Sequence, residues 1–155
     1  MDTTTPNMAE HLEAIGRRLR QKNMRLTQPR QQVLEAFLNS RRLQTPQEIF
    51  NNAREQGINI GLTTVYRMLE SLSELNLAKA LLLHGEIRYI FCPPEHHHHL
   101  ICNNCGLVEE VFNCPVVQMP TGSFKSQSHQ LDFYGLCSRC QVKDTALNPS
   151  GEASK

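Results

Sequence analysis

Two Cys-x-x-Cys pairs, Cys102 to Cys105 and Cys137 to Cys140, stand 31 residues apart and constrain this chain more than any other feature. A turn of this kind can put two sulfurs on one metal, and two such turns complete a tetrahedral sulfur cage that suits zinc. Two redox dithiols or unrelated buried cysteines are the plainer reading, and an iron–sulfur cluster lacks its usual close Cys spacing here. Gly106 and Gly135 flank the pairs and are expected to allow tight turns. All six cysteines lie at or beyond Cys92. A disulfide framework would suit a small secreted domain, yet Met1–Glu10 lacks the basic-then-apolar layout of an export signal. No apolar run approaches the ~20 residues that span a bilayer. The expectation is a cytoplasmic chain whose thiols stay reduced and bind metal.

The 155 residues allow one ordinary domain or two small ones, and the charge is divided between two halves. Residues 1–80 carry 11 Lys/Arg against 8 Asp/Glu, whereas residues 81–155 carry 5 against 7. Within residues 15–42, eight Arg/Lys face the single Glu35, a local basic patch of the kind that meets phosphate.

The first half reads as four helices and a hairpin. Met8, Leu12, Ile15 and Leu19 fall at helical spacing over residues 8–21. Thr27 and Pro29 predict the start of a second helix carrying Val33, Leu34, Phe37 and Leu38. Thr45-Pro46-Gln47-Glu48 predicts a capping box for a third, which Gly57 stops. Thr63 or Thr64 is expected to cap a fourth, in which Val65, Met68, Leu69, Leu72 and Leu75 recur. LAKALLL and IRYIFC then read as two strands around a turn at His84-Gly85-Glu86-Ile87. Three helices followed by a two-stranded hairpin make a winged helix, whose last helix enters the major groove. The fold class is therefore α+β: a winged-helix domain over 1–91, then a metal-binding domain over 92–142. The short runs HLIC, LVEEVF and QLDFYGLC predict strands there, and a tail from Lys143 to Lys155 is expected to be disordered. A segment of about 50 residues needs a metal or a partner chain to fold.

His96–His99 is an internal run of four histidines. If it is extended, His97 and His99 face one way and His96 and His98 the other, so one run can serve two sites. Imidazole with thiolate is a zinc-selective mixture, and Cys92 lies five residues before His97. The bland reading is a solvated histidine loop. His129 alone fits a surface or core histidine, Glu109 and Glu110 a solvated acidic face with either able to ligate. Cys114 fits a buried small apolar residue or a ligand. His84 and His11 carry the bland reading.

RLTQPRQQVLEAF, IGLTTVYRMLESL and HHHHLICNNCGLVEEV with SHQLDFYGLCSRC together resemble the ferric-uptake-regulator (Fur) superfamily, over about residues 10–141. The resemblance implies an N-terminal winged helix and a small C-terminal α/β dimerisation domain with a four-cysteine zinc site. It also implies a metal at the hinge that closes a homodimer onto palindromic double-stranded DNA operators. Cys92 and the histidine at position 98, where iron and peroxide sensors usually carry Asp, make the chain most similar to zinc-uptake regulators (Zur). Carried over, Cys102, Cys105, Cys137 and Cys140 hold structural zinc. Cys92, His97 and His99 form the regulatory hinge, with His84, Glu110 or solvent as fourth ligand. In zinc regulators that ligand lies across the hairpin from the cysteine, where Lys79 is expected here. His96, His98 and His129 belong to a further site whose completing glutamate is missing. Arg25, Thr63, Thr64, Tyr66 and Arg67 are expected at DNA, with Arg18 and Arg30 on phosphate or a solvated basic face.

The implied function is a zinc-responsive repressor with no membrane or small-molecule partner. Iron or peroxide sensing within the same superfamily is the alternative, and a zinc-buffering protein a more distant one. The chain carries neither the His-x-Glu and Pro-Cys-x-x-Cys of zinc deaminases nor the His-Glu-x-x-His of zincins, so no enzyme is expected.

Overall fold

The computed structural model describes residues 8–114, 122–125 and 127–147, with the side chains of residues 8–11 and 144–147 left aside. The chain divides into two compact units, one reaching Pro94 and the other starting at Glu95.

The first unit is built from α1 (Met8–Gln21), α2 (Gln28–Leu38), α3 (Pro46–Glu55), α4 (Leu62–Glu74), β1 (Ala78–Leu83) and β2 (Glu86–Phe91). The helical periodicities converge on one core, in which Leu19, Leu34, Val65, Met68 and Leu72 are wholly inaccessible and Val33, Phe37 and Leu69 nearly so. Three helices end in the same way. Asn23, Gly57 and Asn76 take positive φ, and the following amide reaches back to the carbonyl five residues earlier: Met24 to Leu19, Ile58 to Ala53, Leu77 to Leu72. Glycine adopts this left-handed cap freely and asparagine tolerates it, so these ends are written in the residue type.

The predicted capping box of α3 is present. Glu48 N–H donates to Thr45 Oγ1 at 3.1 Å, and Thr45 N–H donates to Glu48 Oε2 at 2.9 Å. Glu48 also receives Arg88 Nη1 of β2 at 3.0 Å, which ties the hairpin to the start of α3. Two other helix starts differ from expectation. Thr27 occupies the cap position of α2 without a side-chain hydrogen bond. The cap of α4 is Gly61 in an extended conformation, and Thr63 and Thr64 lie inside its first turn. The hairpin turn is tighter than expected: Leu83 pairs with Glu86, leaving His84 and Gly85, both at positive φ, as the two turn residues. Positive φ at both positions matches the twist of the flanking strands.

The second unit carries β3 (His98–Cys102), β4 (Val108–Val111), β5 (Asp132–Gly135) and α5 (Ser138–Leu147). The sheet order is β4-β3-β5, with β3 antiparallel to β4 and parallel to β5. Its buried apolar residues among those described are Ile101, Cys102, Val108 and Cys140, with His98 and His99 buried beside them. Residues 143–147, expected to belong to a disordered tail, are instead helical and form the end of α5. Residues 148–155 of that expected tail lie outside the described residues. Gly106 has the positive φ of a turn, but Gly135 is the last residue of β5, paired with Cys102.

Candidate metal centres and nucleic-acid interface

The central strand β3 ends in Cys102, and the loop to β4 folds back at once. Gly106 N–H donates to Cys102 O at 2.9 Å and Cys102 N–H donates to Leu107 O at 2.8 Å, a knuckle that brings Cys105 beside Cys102. The end of β5 and the first turn of α5 deliver Cys137 and Cys140, with Cys140 N–H donating to Cys137 O. The four sulfurs gather within 4.8 Å of one another. Cys105 Sγ and Cys137 Sγ are 3.7 Å apart, far beyond a disulfide bond of ~2.05 Å. Four thiolates at about 2.3 Å from one tetrahedral zinc would lie about 3.8 Å apart, so the spacing fits the cation.

The electrostatics point the same way. Burial pushes the Cys102 thiol up, but backbone amides at Cys137, Cys105 and Asn104 outweigh it and bring the group down to about 6. For Cys105 burial likewise opposes, and the Leu107 backbone helps hold the thiol below its ordinary value. Burial and the neighbouring sulfurs push Cys140 up to about 12.

The histidine run alternates as expected, and its two faces form two groups. His97 Nδ1 meets Glu95 O at 2.7 Å, which requires a proton on Nδ1. His99 Nδ1 meets Asp132 Oδ1 at 3.0 Å, an assignment that again puts the proton on Nδ1. Both Nε2 atoms are then acceptors, and they face one another at 3.1 Å. Two imidazoles on one tetrahedral zinc at ~2.05 Å would hold their nitrogens about 3.3 Å apart. Cys92, which the sequence groups with these two histidines, is buried at the end of the first unit, just after β2.

The expected fourth ligands separate. His84 sits in the hairpin turn, whereas Cys92 follows the other end of β2. Six strand residues at ~3.3 Å each put those ends about 20 Å apart, so His84 is not a ligand with Cys92. Glu110 is the register partner of His99. Lys79 is opposite Ile90 and not Cys92, whose N–H donates instead to Leu77 O.

His96, His98 and His129 also come together, with ring centroids 4.6–5.3 Å apart. His98 is buried, which lowers its pKa, with the neighbouring imidazoles adding to the effect. Cys114 joins this group, its Sγ 3.1 Å from His129 Nε2. Neither Cys114 nor Asp132 was assigned to a particular site by the sequence. Their placement depends on strand register and loop path, for which no local motif gives a signal.

On the first unit, α4 presents Tyr66 half exposed, with Thr63 and Arg67 exposed and Thr64 half-buried, while Val65, Met68 and Leu69 face the core. The exposed face is the one free to meet a duplex. Arg25 is exposed in the turn before α2, and its carbonyl accepts from Arg30 Nη1 at 2.7 Å, so Arg30 braces the backbone that carries Arg25. Arg18 differs from expectation: its Nη2 donates to Leu75 O at 2.7 Å, closing the C-terminal end of α4. A guanidinium there complements the partial negative charge of the helix end. No helix among the described residues is long and apolar enough to cross a membrane.

Residues 21–134 match the Ferric uptake regulator family. The chain is 30% identical over 148 residues to the ferric uptake regulation protein of Bacillus subtilis, covering 89% of this chain and 99% of that protein. The Legionella pneumophila ferric uptake regulation protein is 31% identical over 133 residues, covering 81% and 98%. The Helicobacter pylori ferric uptake regulator superposes with a TM-score of 0.65 at 26% identity, over 88% of this chain and 95% of that one. A zinc uptake regulator complexed with zinc and DNA shares the fold, with a TM-score of 0.61 at 22% identity over 91% and 99%. The winged helix, the small cysteine-bearing sheet domain and this breadth of match place the chain in the ferric uptake regulator family of metal-responsive transcription regulators, which are not enzymes.

Proposed function

We propose that the protein is a zinc-responsive repressor that binds palindromic operators as a homodimer when metal occupies Cys92, His97 and His99. The observation that carries this reading is the pair of Nε2 acceptors of His97 and His99, facing one another at 3.1 Å. Two lone pairs so placed repel unless a metal ion or a proton stands between them, and a metal can be held by both rings while they stay neutral. A thiolate from Cys92 turns the set towards zinc and away from ferrous iron, which carboxylate-containing sites suit better. Glu110, beside His99 in the sheet, or solvent supplies the fourth position. Cys102, Cys105, Cys137 and Cys140 hold a separate structural zinc.

A palindrome requires two recognition helices about 34 Å apart, one turn of duplex. In this reading α4 enters the major groove, with Tyr66 packing on thymine methyl groups and Arg67 on phosphate or a guanine edge. Leu100 and Phe133, register partners on β3 and β5, are 41% and 49% exposed and support pairing with a second copy through this sheet. The segment 92–99 adjoins the last strand of the first unit, so a metal there fixes the angle between DNA-reading and pairing halves. Operator-bound metal is tightened by the same factor by which metal tightens the operator. The protein acts on DNA, in this reading, within the cytoplasm.

Cys92→Ser separates the roles. The variant is expected to keep the metal of the four-cysteine cage and to remain a dimer, while losing metal-dependent DNA binding in a mobility-shift titration. An unchanged response at the same free zinc concentration would remove Cys92 from the sensor. The relatives named ferric uptake regulation proteins favour iron as the second reading, and metal competition distinguishes the two.

A further inference from the structure

His98 is only 1% exposed, and neither of its ring nitrogens has a hydrogen-bond partner among the described residues. A buried imidazole with both polar atoms unsatisfied has given up its hydration for nothing within the protein. Its surroundings say what is missing. The His96 ring stands edge-on to it at 4.7 Å, and the His129 ring stacks at 5.3 Å. The third side of this triangle, His96 to His129, is 4.6 Å. Cys114 Sγ approaches His129 Nε2 to 3.1 Å. Ligand atoms of all four residues lie within 4.8 Å of one another, and the group contains no carboxylate.

We propose that Cys114 closes a four-ligand metal site with His96, His98 and His129, and that this site takes zinc. The glutamate that the family resemblance leads one to expect is missing from the sequence, but the site is not thereby left open. A thiolate from the segment just before Pro115 stands in its place. The exchange changes the ligand chemistry. Three neutral imidazoles and one thiolate make a four-coordinate, borderline-soft set that favours zinc over manganese or ferrous iron, for which oxygen donors are the better match. One of the two orphaned nitrogen atoms of His98 is thereby accounted for, because a ring nitrogen held for a cation has no protein partner. The site is distinct from the pair formed by His97 and His99, since alternate residues of the run point to opposite sides. Its occupancy does not depend on what the protein does at DNA.

Cobalt reports thiolate ligation directly. Full-length protein carrying Cys92→Ser, with zinc already in the four-cysteine cage, would be titrated with Co2+ while released zinc is followed. Without zinc release, the only remaining thiol able to ligate is that of Cys114. The expected spectrum combines the intense visible bands of four-coordinate cobalt with a thiolate-to-cobalt charge-transfer band in the near ultraviolet. Adding Cys114→Ser should abolish the charge-transfer band and weaken binding by more than about tenfold, since loss of even an outer-shell partner costs ~10–100-fold. Zinc should also slow alkylation of Cys114 by iodoacetamide, read by peptide mass, and His129→Ala should remove that protection. An absent charge-transfer band in Cys92→Ser, or one that survives Cys114→Ser, would overturn the assignment. So would an alkylation rate indifferent to zinc in folded protein.

Discussion

Replacing Cys105 by serine should unfold the second unit and leave the first intact. The disparity in apolar burial sets the expectation. The first unit closes around Leu19, Val33, Leu34, Phe37, Met68, Leu69 and Leu72, all at 1% exposure or less. In the second, Ile101 and Val108 are the only fully aliphatic side chains buried among the described residues. At roughly 1.5–3 kcal/mol for each such side chain, the pair contributes about 3–6 kcal/mol. A structural zinc on four thiolates is worth about 10–16 kcal/mol, so a zinc held there would outweigh the apolar contact in holding this unit together. Serine at position 105 removes one of the four anionic donors and leaves the buried Cys102 and Cys140 without their common partner. Hydrogen exchange read by peptide mass resolves the two units. In Cys105→Ser, amides of β3, β4 and β5 should lose most of their protection, while α2, α3 and α4 retain theirs. The variant should contain one zinc fewer per chain. Native protection of β3 to β5 in a variant that has lost that zinc would refute the reasoning, because the sheet would then be stable without the cage.

Other outcomes follow from the same geometry. Tyr66→Ala should narrow the affinity gap between operator and random duplex, whereas Arg25→Ala should weaken both and reduce the salt dependence by about one unit of slope; fluorescence anisotropy at several salt concentrations reads both effects. Equal losses on both duplexes for Tyr66→Ala would remove it from base reading. Metal entry into the stripped cage should release protons at neutral pH, because Cys140 is pushed up to about 12 while Cys102 is already down near 6. Cage affinity should therefore rise with pH from about 6 to 8, the thiol that must ionise being protonated throughout that range. Calorimetry in buffers of different ionisation enthalpy measures the proton count, and a value of zero would contradict the assignment of charge.

Much of this fold was legible because its signals are local. The capping box at Thr45 and Glu48 and the stop at Gly57 involve residues within a few positions of one another, and both are present. The pairing of His97 with His99 and of His96 with His98 followed from strand alternation alone. What escaped depends on long-range partners. Arg18 looked like one more member of a basic face, and only the packing of α1 near the end of α4 brings Leu75 O within 2.7 Å of it. The cap of α4 shifted to Gly61 because the extended backbone there starts the helix at Leu62, one residue before the threonines that capping preference favours. Asp132 reaches His99 through a parallel β3–β5 pairing across 33 residues, and Cys114 reaches His129 across 15. Neither pairing has a sequence period to reveal it. Lys79 misplaced by two residues of register shows the same limit, since a turn of two residues in place of four moves every cross-strand partner by two.

Zinc held through Cys92, His97 and His99 is proposed to set affinity for DNA, and one measurement tests this most directly. It is operator binding by fluorescence anisotropy against buffered free metal, with zinc, ferrous iron and manganese in parallel and the duplex first recovered by selection from random sequence. The predicted result is an increase of about 100-fold in operator affinity on zinc loading, equivalent to ~2.7 kcal/mol of coupling, with iron and manganese needing far higher free concentrations. An equal or greater increase driven by ferrous iron at lower free concentration than zinc would contradict it, as would operator binding that does not change with any metal.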